Sequence, residues 1–532
     1  MVTPERDGRA IFKILKGVVS DGVGPRLGSL SLPKRRPIDT PNFIGLTARG
    51  AVPHLTPDNV SRKTDLGGVY VALEDFMELT KNKTVPSMVE MKSESIKEPP
   101  LHAYTAMPSH MLTILGARRH PAINSPLGNS KDSISIFTST GFRNLTNGVY
   151  RQYVDAVRPD VVIPLADMTY AEGTGTGTGA DSPNSKRRTK PASSKRQLRM
   201  VERTEEWMAE FFERRAGADT ATTPPHVFAP VLPLSYPAQW DYIKQLEEDF
   251  PDKLSGLAIY DADIIPDLCN HAALESLPRL SLDSNAVNPQ EILRQIQLGA
   301  DIFAIPFLNT ISDAGVALSF TFPAPESTGG AGGGVRPLGI DMWAPEHEVA
   351  VAPLVDGCAC YACARHHRAY LHHLLNAREM LGWTLLQIHN IHVLDAFFAG
   401  VRNALLSNSN SNSTSSSNSE SDFDRLCADF NHVYDAQLPA GTGARPRARG
   451  YHFKSKGNDP KINSPAWEKF GNDNGDAGEG GGDVVDKAAL EGDRAGLMVT
   501  GPAAPGGHET PLVPGPDAEL DKMGFAEVVA EK

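Results

Sequence analysis

Eight short runs rich in β-branched and other apolar residues recur along the first two-thirds of the chain. They are Ala10–Leu15, Phe43–Leu46, Ser133–Phe137, Val161–Leu165, Val227–Val231, Gly256–Tyr260, Arg279–Leu282 and Asp301–Ile305. Amphipathic stretches lie between several of them. In Met200–Arg215 an apolar stripe at helical spacing runs through Met200, Trp207, Met208, Phe211 and Phe212. In Pro289–Leu298 the same spacing brings Ile292, Leu293, Ile296 and Leu298 to one face. Strand, helix, strand, repeated, predicts a parallel sheet, because the helix is the crossover that parallel pairing requires. This many units favours an α/β fold closed into a (β/α)8 TIM-like barrel. An open doubly wound sheet is the alternative, but no GxGxxG turn supports dinucleotide binding.

The chain has 532 residues, enough for such a barrel and additional segments. Its 47 Gly and 41 Pro point to irregular stretches, and three are easy to place. Ala171–Ser194 carries a Gly-Thr repeat, Ala324–Val335 is rich in Gly, and Ser407–Glu420 is almost pure Ser and Asn. Such compositions bury too little apolar surface to offset ordering entropy, so they read as flexible insertions. The expected organisation is a barrel over 1–405, with flexible insertions at 171–194 and 324–335 and a metal-binding segment at 356–395. A low-complexity insertion at 406–420 follows, then a final packing helix over 421–438 with a stripe of Phe423, Leu426, Phe430 and Val433. From 439 to 532 the Gly, Pro, Asp and Lys content predicts a disordered tail.

A formal net charge of −12 argues against an indiscriminate nucleic-acid binder and leaves room for a local basic patch. Lys186, Arg187, Arg188, Lys190, Lys195, Arg196 and Arg199 form one candidate, although a solvated insertion running into a helix is the plainer reading. Met1–Arg9 is charged and lacks the apolar core of a secretory signal, and no run of about 20 apolar residues occurs.

Of the five cysteines, Cys358, Cys360 and Cys363 fall within six residues, while Cys269 and Cys427 stand apart. That spacing suits thiolate coordination of a metal in a reducing compartment better than a disulfide framework. Zinc takes four tetrahedral N or S ligands, and cysteines on a turn can supply three. The fourth can come from His366, His367, His372, His373, His389 or His392, and spacing alone does not choose. A helix from about Arg365 to Leu381 carries the first four. A following helix with Leu385, Leu386, Ile388 and Val393 carries the other two. A closed four-ligand site has no position open to substrate, which makes it structural.

The stretch Cys358-Ala-Cys360-Tyr-Ala-Cys363, then Arg368-Ala-Tyr370-Leu-His-His373, Glu379-Met-Leu-Gly382 and Ile388-His389-Asn390, resembles the zinc segment of the tRNA-guanine transglycosylases. Ser139–Phe142, Pro159–Thr169, Val227–Leu234, Ser255–Ala258 and Leu298–Phe303 resemble, in order, that family's barrel-strand motifs. The resemblance runs from about residue 10 to 435. It implies one zinc ion per subunit, held by Cys358, Cys360, Cys363 and His389. It also locates the family's catalytic and base-recognising positions, and here those read Thr138, Ala166, Leu232 and Ala304. The nucleophilic aspartate is matched by Ala304, the acid/base aspartate by Thr138, the base-recognising aspartate by Ala166 and a glutamine by Leu232.

A barrel that keeps its frame and loses four polar groups implies a non-catalytic accessory chain. Such a chain pairs as a heterodimer with a separate catalytic subunit, which exchanges wobble guanine for queuine in tRNA. The resemblance implies binding of those tRNAs and no DNA. It places the protein in the cytoplasm, with some relatives found at the mitochondrial surface. Two other readings remain. One is an active transglycosylase with relocated groups, Asp301 or Asp167 serving if the alignment slips. The other is a zinc scaffold with no RNA role.

Overall fold

The computed structural model describes residues 11–16, 23–80, 83–86, 88, 98–123, 125, 128–138, 141–168, 192–213, 224–325, 335–407 and 422–446. All fall within the first of two compact units, Met1–Ser464; the second is Pro465–Lys532. Strands β1 (Phe12–Lys16), β2 (Leu27–Leu30) and β3 (Ile38–Thr40) make an antiparallel sheet. Then come β4 (Asn42–Leu46) and β5 (Gly68–Ala72), a hairpin of β6 (Met77–Thr80) and β7 (Lys83–Pro86), and β8 (Leu112–Gly116). A second hairpin, β9 (Ser133–Thr138) with β10 (Gly141–Thr146), precedes β11 (Val161–Val162), β12 (His226–Val231), β13 (Gly256–Ile259), β14 (Arg279–Ser281) and β15 (Ile302–Ala304). A last antiparallel pair is β16 (Val316–Leu318) with β17 (Gly339–Asp341).

Strands β4, β5, β8 and β11 to β15 pair in parallel in sequence order, and β15 closes back on β4. This is the closed eight-stranded barrel that the alternation predicts. Around it lie α1 (Pro57–Lys63), α2 (Pro100–Thr105), α3 (Asn147–Val157), α4 (Ser194–Glu213), α5 (Trp240–Glu248), the short α6 (Ile265–Leu268) and α7 (Ala272–Glu275), α8 (Pro289–Leu298) and α9 (Pro306–Asp313). After these come α10 (Tyr361–Arg365), α11 (Arg368–Asn376), α12 (Met380–Ser407) and α13 (Asp422–Val433).

The staves are apolar on both faces because each face is covered. Along β5, Tyr70 and Ala72 join the barrel interior with Ile44, Ile114, Phe228 and Ile302, whereas Val69 and Val71 pack with the outer core. Ile11, Leu30, Leu32 and Ile38 belong to the interior cluster, so the antiparallel sheet stoppers the barrel floor. On that floor Asp301, just ahead of β15, takes a two-pronged ion pair from Arg26 at 2.8 and 2.5 Å and accepts the Arg279 amide at 2.7 Å.

Several sequence expectations are corrected. Two of the eight candidate runs are strands but not staves: Ala10–Leu15 falls in the floor sheet and Ser133–Phe137 in the β9–β10 hairpin. Their places are taken by β5 and β8. The expected helix from Arg365 to Leu381 is three pieces, broken after Arg365 and again between Asn376 and Met380. Ser194 already belongs to α4. The first eight residues of the expected tail lie against the fold. Thr442 bonds Asp341 through its amide (3.0 Å) and its hydroxyl (2.8 Å), and Gly443 lies flat on Trp343, where a Cβ would meet the indole at 1.9 Å. Most of the three insertions and all of the tail from 447 onward lie outside the described residues.

Candidate metal centre and barrel mouth

Cys358, Cys360, Cys363 and His389 converge, with their ligand atoms all within 4.8 Å of one another. The three Sγ atoms stand 3.7, 3.4 and 3.4 Å from His389 Nδ1. Tetrahedral zinc with S at about 2.3 Å and N at about 2.0 Å requires S···N separations of about 3.5 Å. The donor set and its spacing therefore fit a zinc ion. Cys360 is the N-cap of α10 and its sulfur accepts the Cys363 amide, which fixes two sulfurs on one short helix. Gly357, at φ 76°, makes the turn into the segment. The fourth donor comes from α12, because a buried helix carries His389 under the turn. Its Nε2 donates to the Leu318 carbonyl at 2.9 Å, which leaves Nδ1 free of its proton and turned to the sulfurs. Asn390 holds the same strand, accepting the Leu318 amide and donating to the Val316 carbonyl. Hydrogen bonds from the Cys360 and Cys363 thiols and from His389 hold the Cys358 thiol far below its ordinary pKa.

The other candidate histidines are engaged elsewhere. His366 stacks on Tyr370, His367 caps α11, and His372 lies beside Asn376. His373 faces outward from α11, and His392 touches Cys358 from one turn beyond His389.

Toward the C-terminal ends of the staves, the four residues that the resemblance singled out are buried. Thr138, Ala166, Leu232 and Ala304 are 0, 4, 0 and 1% exposed. The loop after β12 is closed on itself by Gln239, which accepts the Leu232 amide and donates to the Leu232 and Leu234 carbonyls. Thr138 sits at the tip of the β9–β10 hairpin, not on a stave, and its hydroxyl donates to the Gly141 carbonyl. Inside the mouth, Tyr70 takes the volume that Gly116 leaves. A Cβ at Gly116 would lie 2.0 Å from the Tyr70 hydroxyl, which itself donates to the Arg118 carbonyl. His120 bonds the Ala304 carbonyl, and burial pushes its pKa down to about 4.

The carboxylates around this rim are tied into the frame. Asp167 is met by Arg196 (2.6 Å), Arg203 (2.9 Å) and Asn129 (2.7 Å). Glu74 accepts the Arg119 and Phe137 amides, and burial pushes its pKa up. Asp75 pairs with Arg119 and accepts the Arg49 amide. Asp283, its pKa also raised by burial, accepts the Ala262 and Asn285 amides. Asp301 is on the floor, at the opposite end of β15 from Ala304. Of the candidate basic run, Arg196 is spent on Asp167, while Lys186, Arg187, Arg188 and Lys190 lie outside the described residues. Glu74, Asp75, Tyr70 and His120 carry no local pattern that marks them in the sequence; only barrel closure brings them together.

A family model described as "Queuine tRNA-ribosyltransferase" matches residues 21–416. A protein named queuine tRNA-ribosyltransferase accessory subunit 2, from Schizosaccharomyces pombe, is 33% identical over 451 residues, covering 84% of this chain and 90% of its own. Proteins of the same name from Drosophila grimshawi and Culex quinquefasciatus are each 29% identical, covering 71% of this chain and 86% and 84% of theirs.

Proposed function

The chain belongs to the queuine tRNA-ribosyltransferase family, and from that premise we propose that it is the non-catalytic accessory subunit of such an enzyme. It pairs with a catalytic subunit and helps present tRNA while its partner exchanges wobble guanine for queuine. The observation that carries this reading is the burial of Thr138, Ala166, Leu232 and Ala304, none of which bears a carboxylate. Base exchange needs a carboxylate at the sugar's anomeric carbon, an acid/base beside it and polar groups on the purine edge. Ala304, Thr138, Ala166 and Leu232 supply none of these, and all four are buried. Among the described residues, Glu74, Asp75 and Asp167 already hold arginines or backbone amides, which speaks against their serving as a replacement nucleophile. Asp301 and Asp167, the two residues on which a relocated active site would depend, are an ion-paired floor anchor and a rim anchor. The names of the relatives support an accessory role.

The metal is zinc on this reading. Cys358, Cys360, Cys363 and His389 hold it, and it contributes structural cross-linking, tying the α10 turn to α12 and through His389 to β16. No described helix is long and apolar enough to cross a membrane. Attachment to the outer surface of mitochondria remains part of the proposal on the resemblance alone. The test is to co-purify the chain with a catalytic subunit and assay labelled guanine or queuine exchange with each chain omitted in turn. Turnover only with both chains present supports the reading. Exchange by this chain alone, or full activity without it, overturns it.

A further inference from the structure

A cavity of about 340 Å³ lies between the turn ahead of β9, the start of α3 and the second half of α4. It shares no lining residue with the metal centre or with the four buried positions that the resemblance singled out. Its walls include Asp132 from the turn, Asn147 from α3, and Glu206, Trp207 and Glu210 from α4. Those walls are fixed to one another. The Trp207 indole donates to the Lys131 carbonyl at 3.1 Å, which ties α4 to the turn. The Asn147 carboxamide nitrogen donates to the Trp207 carbonyl at 2.9 Å and to the Glu210 carboxylate at 3.0 Å, which ties α3 to α4. Both neighbours are acceptors, so the amide cannot be turned over. Its Oδ1 is buried without a hydrogen-bond partner, on a residue only 2% exposed. An unpaired buried acceptor is costly, and an N–H brought into the cavity would satisfy it.

The same walls are strongly anionic. The ion pairs of α4 run from Arg196 and Arg203 to Asp167, and neither Asp132 nor Glu206 has one among the described residues. Along α4, Lys195, Arg196, Arg199 and Arg203 come early, whereas Glu202, Glu205, Glu206, Glu210 and Glu213 fill the second half. Glu210 and Glu213 stand in the last turn, where the helix macrodipole disfavours carboxylates and no basic residue offsets them. Burial raises the Glu205 pKa, and Asp241 and Glu202 beside it raise it further. Helix stability does not account for this arrangement, whereas a bound cation does. A single metal ion is a poor match. Among the described residues only Cys358, Cys360, Cys363 and His389 bring three or more ligand atoms within 4.8 Å of one another, so Asp132, Glu206 and Glu210 do not converge on a point. Carboxylates spread around a cavity of this size suit a cation whose charges are themselves spaced along a flexible chain, each nitrogen bringing several N–H donors.

We propose that this cavity binds a linear polyamine, its ammonium groups paired with Asp132, Glu206 and Glu210 and one N–H donated to Asn147 Oδ1. The site is independent of the accessory-subunit reading, because it uses neither the barrel mouth nor the metal centre. Asp132 and Glu206 are exposed, so salt screens their attraction and binding is strongest at low ionic strength.

The experiment titrates spermidine into the full chain by calorimetry at low salt, with magnesium chloride as a second titrant. The wild type should bind spermidine saturably, one per chain. Glu206→Gln combined with Glu210→Gln keeps an acceptor for the Asn147 amide while removing two charges, and should weaken binding at least about tenfold. Glu202→Gln combined with Glu213→Gln removes the same charge from α4 outside the cavity and should leave the affinity unchanged. Asp132→Asn, on a turn and not on the helix, should also weaken binding, so a folding failure in α4 would not leave the matter open. No saturable binding by the wild type overturns the proposal. An equal loss in the two double variants also overturns it, since that would mean diffuse attraction to the helix. So does magnesium bound at the cavity in place of spermidine.

Discussion

His120 hangs from the loop after β8 with one ring nitrogen on the Ala304 carbonyl and with Nε2 shut away from both water and partners. The bonding nitrogen is therefore Nδ1, and the ring is neutral in the folded protein. Burial pushes its pKa down to about 4, below the ordinary histidine value. A lowered histidine pKa means that the unfolded chain takes up a proton first as pH falls. Stability is then full above about pH 6.5 and declines between about 6.5 and 4, by about 3 kcal/mol. His120→Gln keeps an N–H for the Ala304 carbonyl and does not titrate. Denaturant midpoints at pH 7.5 and pH 5 should separate the two proteins, with the variant less acid-sensitive. Acid also weakens thiolate coordination, but equally in both, so the difference isolates His120. Identical pH profiles would show that the ring is solvated. The sequence singled out Thr138, Ala166, Leu232 and Ala304 by resemblance alone, and the structure adds that all four are buried. It gave no hint of His120, Tyr70 or Glu74, because what they do depends on partners brought in by barrel closure, as Tyr70 over Gly116 illustrates.

Among the elements, the candidate metal segment was the most legible and the helix lengths the least. Three cysteines on a turn speak for themselves; spacing left six histidines open, the resemblance chose His389, and α12 places that residue beside the three sulfurs. The expected continuous helix fails where Arg378 takes a φ of 57° and the chain turns to start α12. Strands β5 and β8 were passed over because GVYVA and LTILG are five residues long and apolar on both faces, with no alternation to betray them. Ser133–Phe137, by contrast, alternates Ser and Ile and so reads as a strand, but it pairs with β10 in a hairpin and not in the barrel. Cys360→Ser tests what the metal holds together. Serine can still cap α10 by accepting the Cys363 amide, so the local helix signal is retained and only a ligand is lost. Zinc content should fall from about one per chain to well below half. Amide exchange should accelerate in α10 and α11, while β4, β5 and β8 keep their protection. Wild-type zinc content and unchanged exchange in the variant would exclude Cys360 as a ligand.

At the scale of the whole molecule, the proposed reading is of a barrel kept as a frame, with buried residues at the positions the resemblance assigns to chemistry. The floor retains the Arg26–Asp301 clamp and the rim retains Asp167 with its two arginines, so the frame is braced at both ends. Between them the interior is a continuous apolar column from Ile38 through Ile44 and Ile302 to Ala304. This predicts how the protein responds to an attempt at resurrection. On the proposed alignment, Ala304→Asp restores the nucleophile's carboxylate, but it arrives in a buried apolar cluster whose Ala304 carbonyl is bonded by His120. Burying it there should cost on the order of 3 kcal/mol and raise its pKa toward neutrality. The purine would still lack polar partners at Ala166 and Leu232, and no base stands at Thr138. Catalytic groups act as a unit, so one restored member recovers little. The variant should therefore show no base exchange by itself, a lowered melting temperature, and a weaker ability to support the catalytic subunit in proportion to its loss of folded protein. Labelled guanine incorporated by Ala304→Asp alone would mean that the mouth opens to admit a purine. A covalent adduct between RNA and the unaltered chain would be more decisive, and its point of attachment would identify a nucleophile among residues assigned here to the frame.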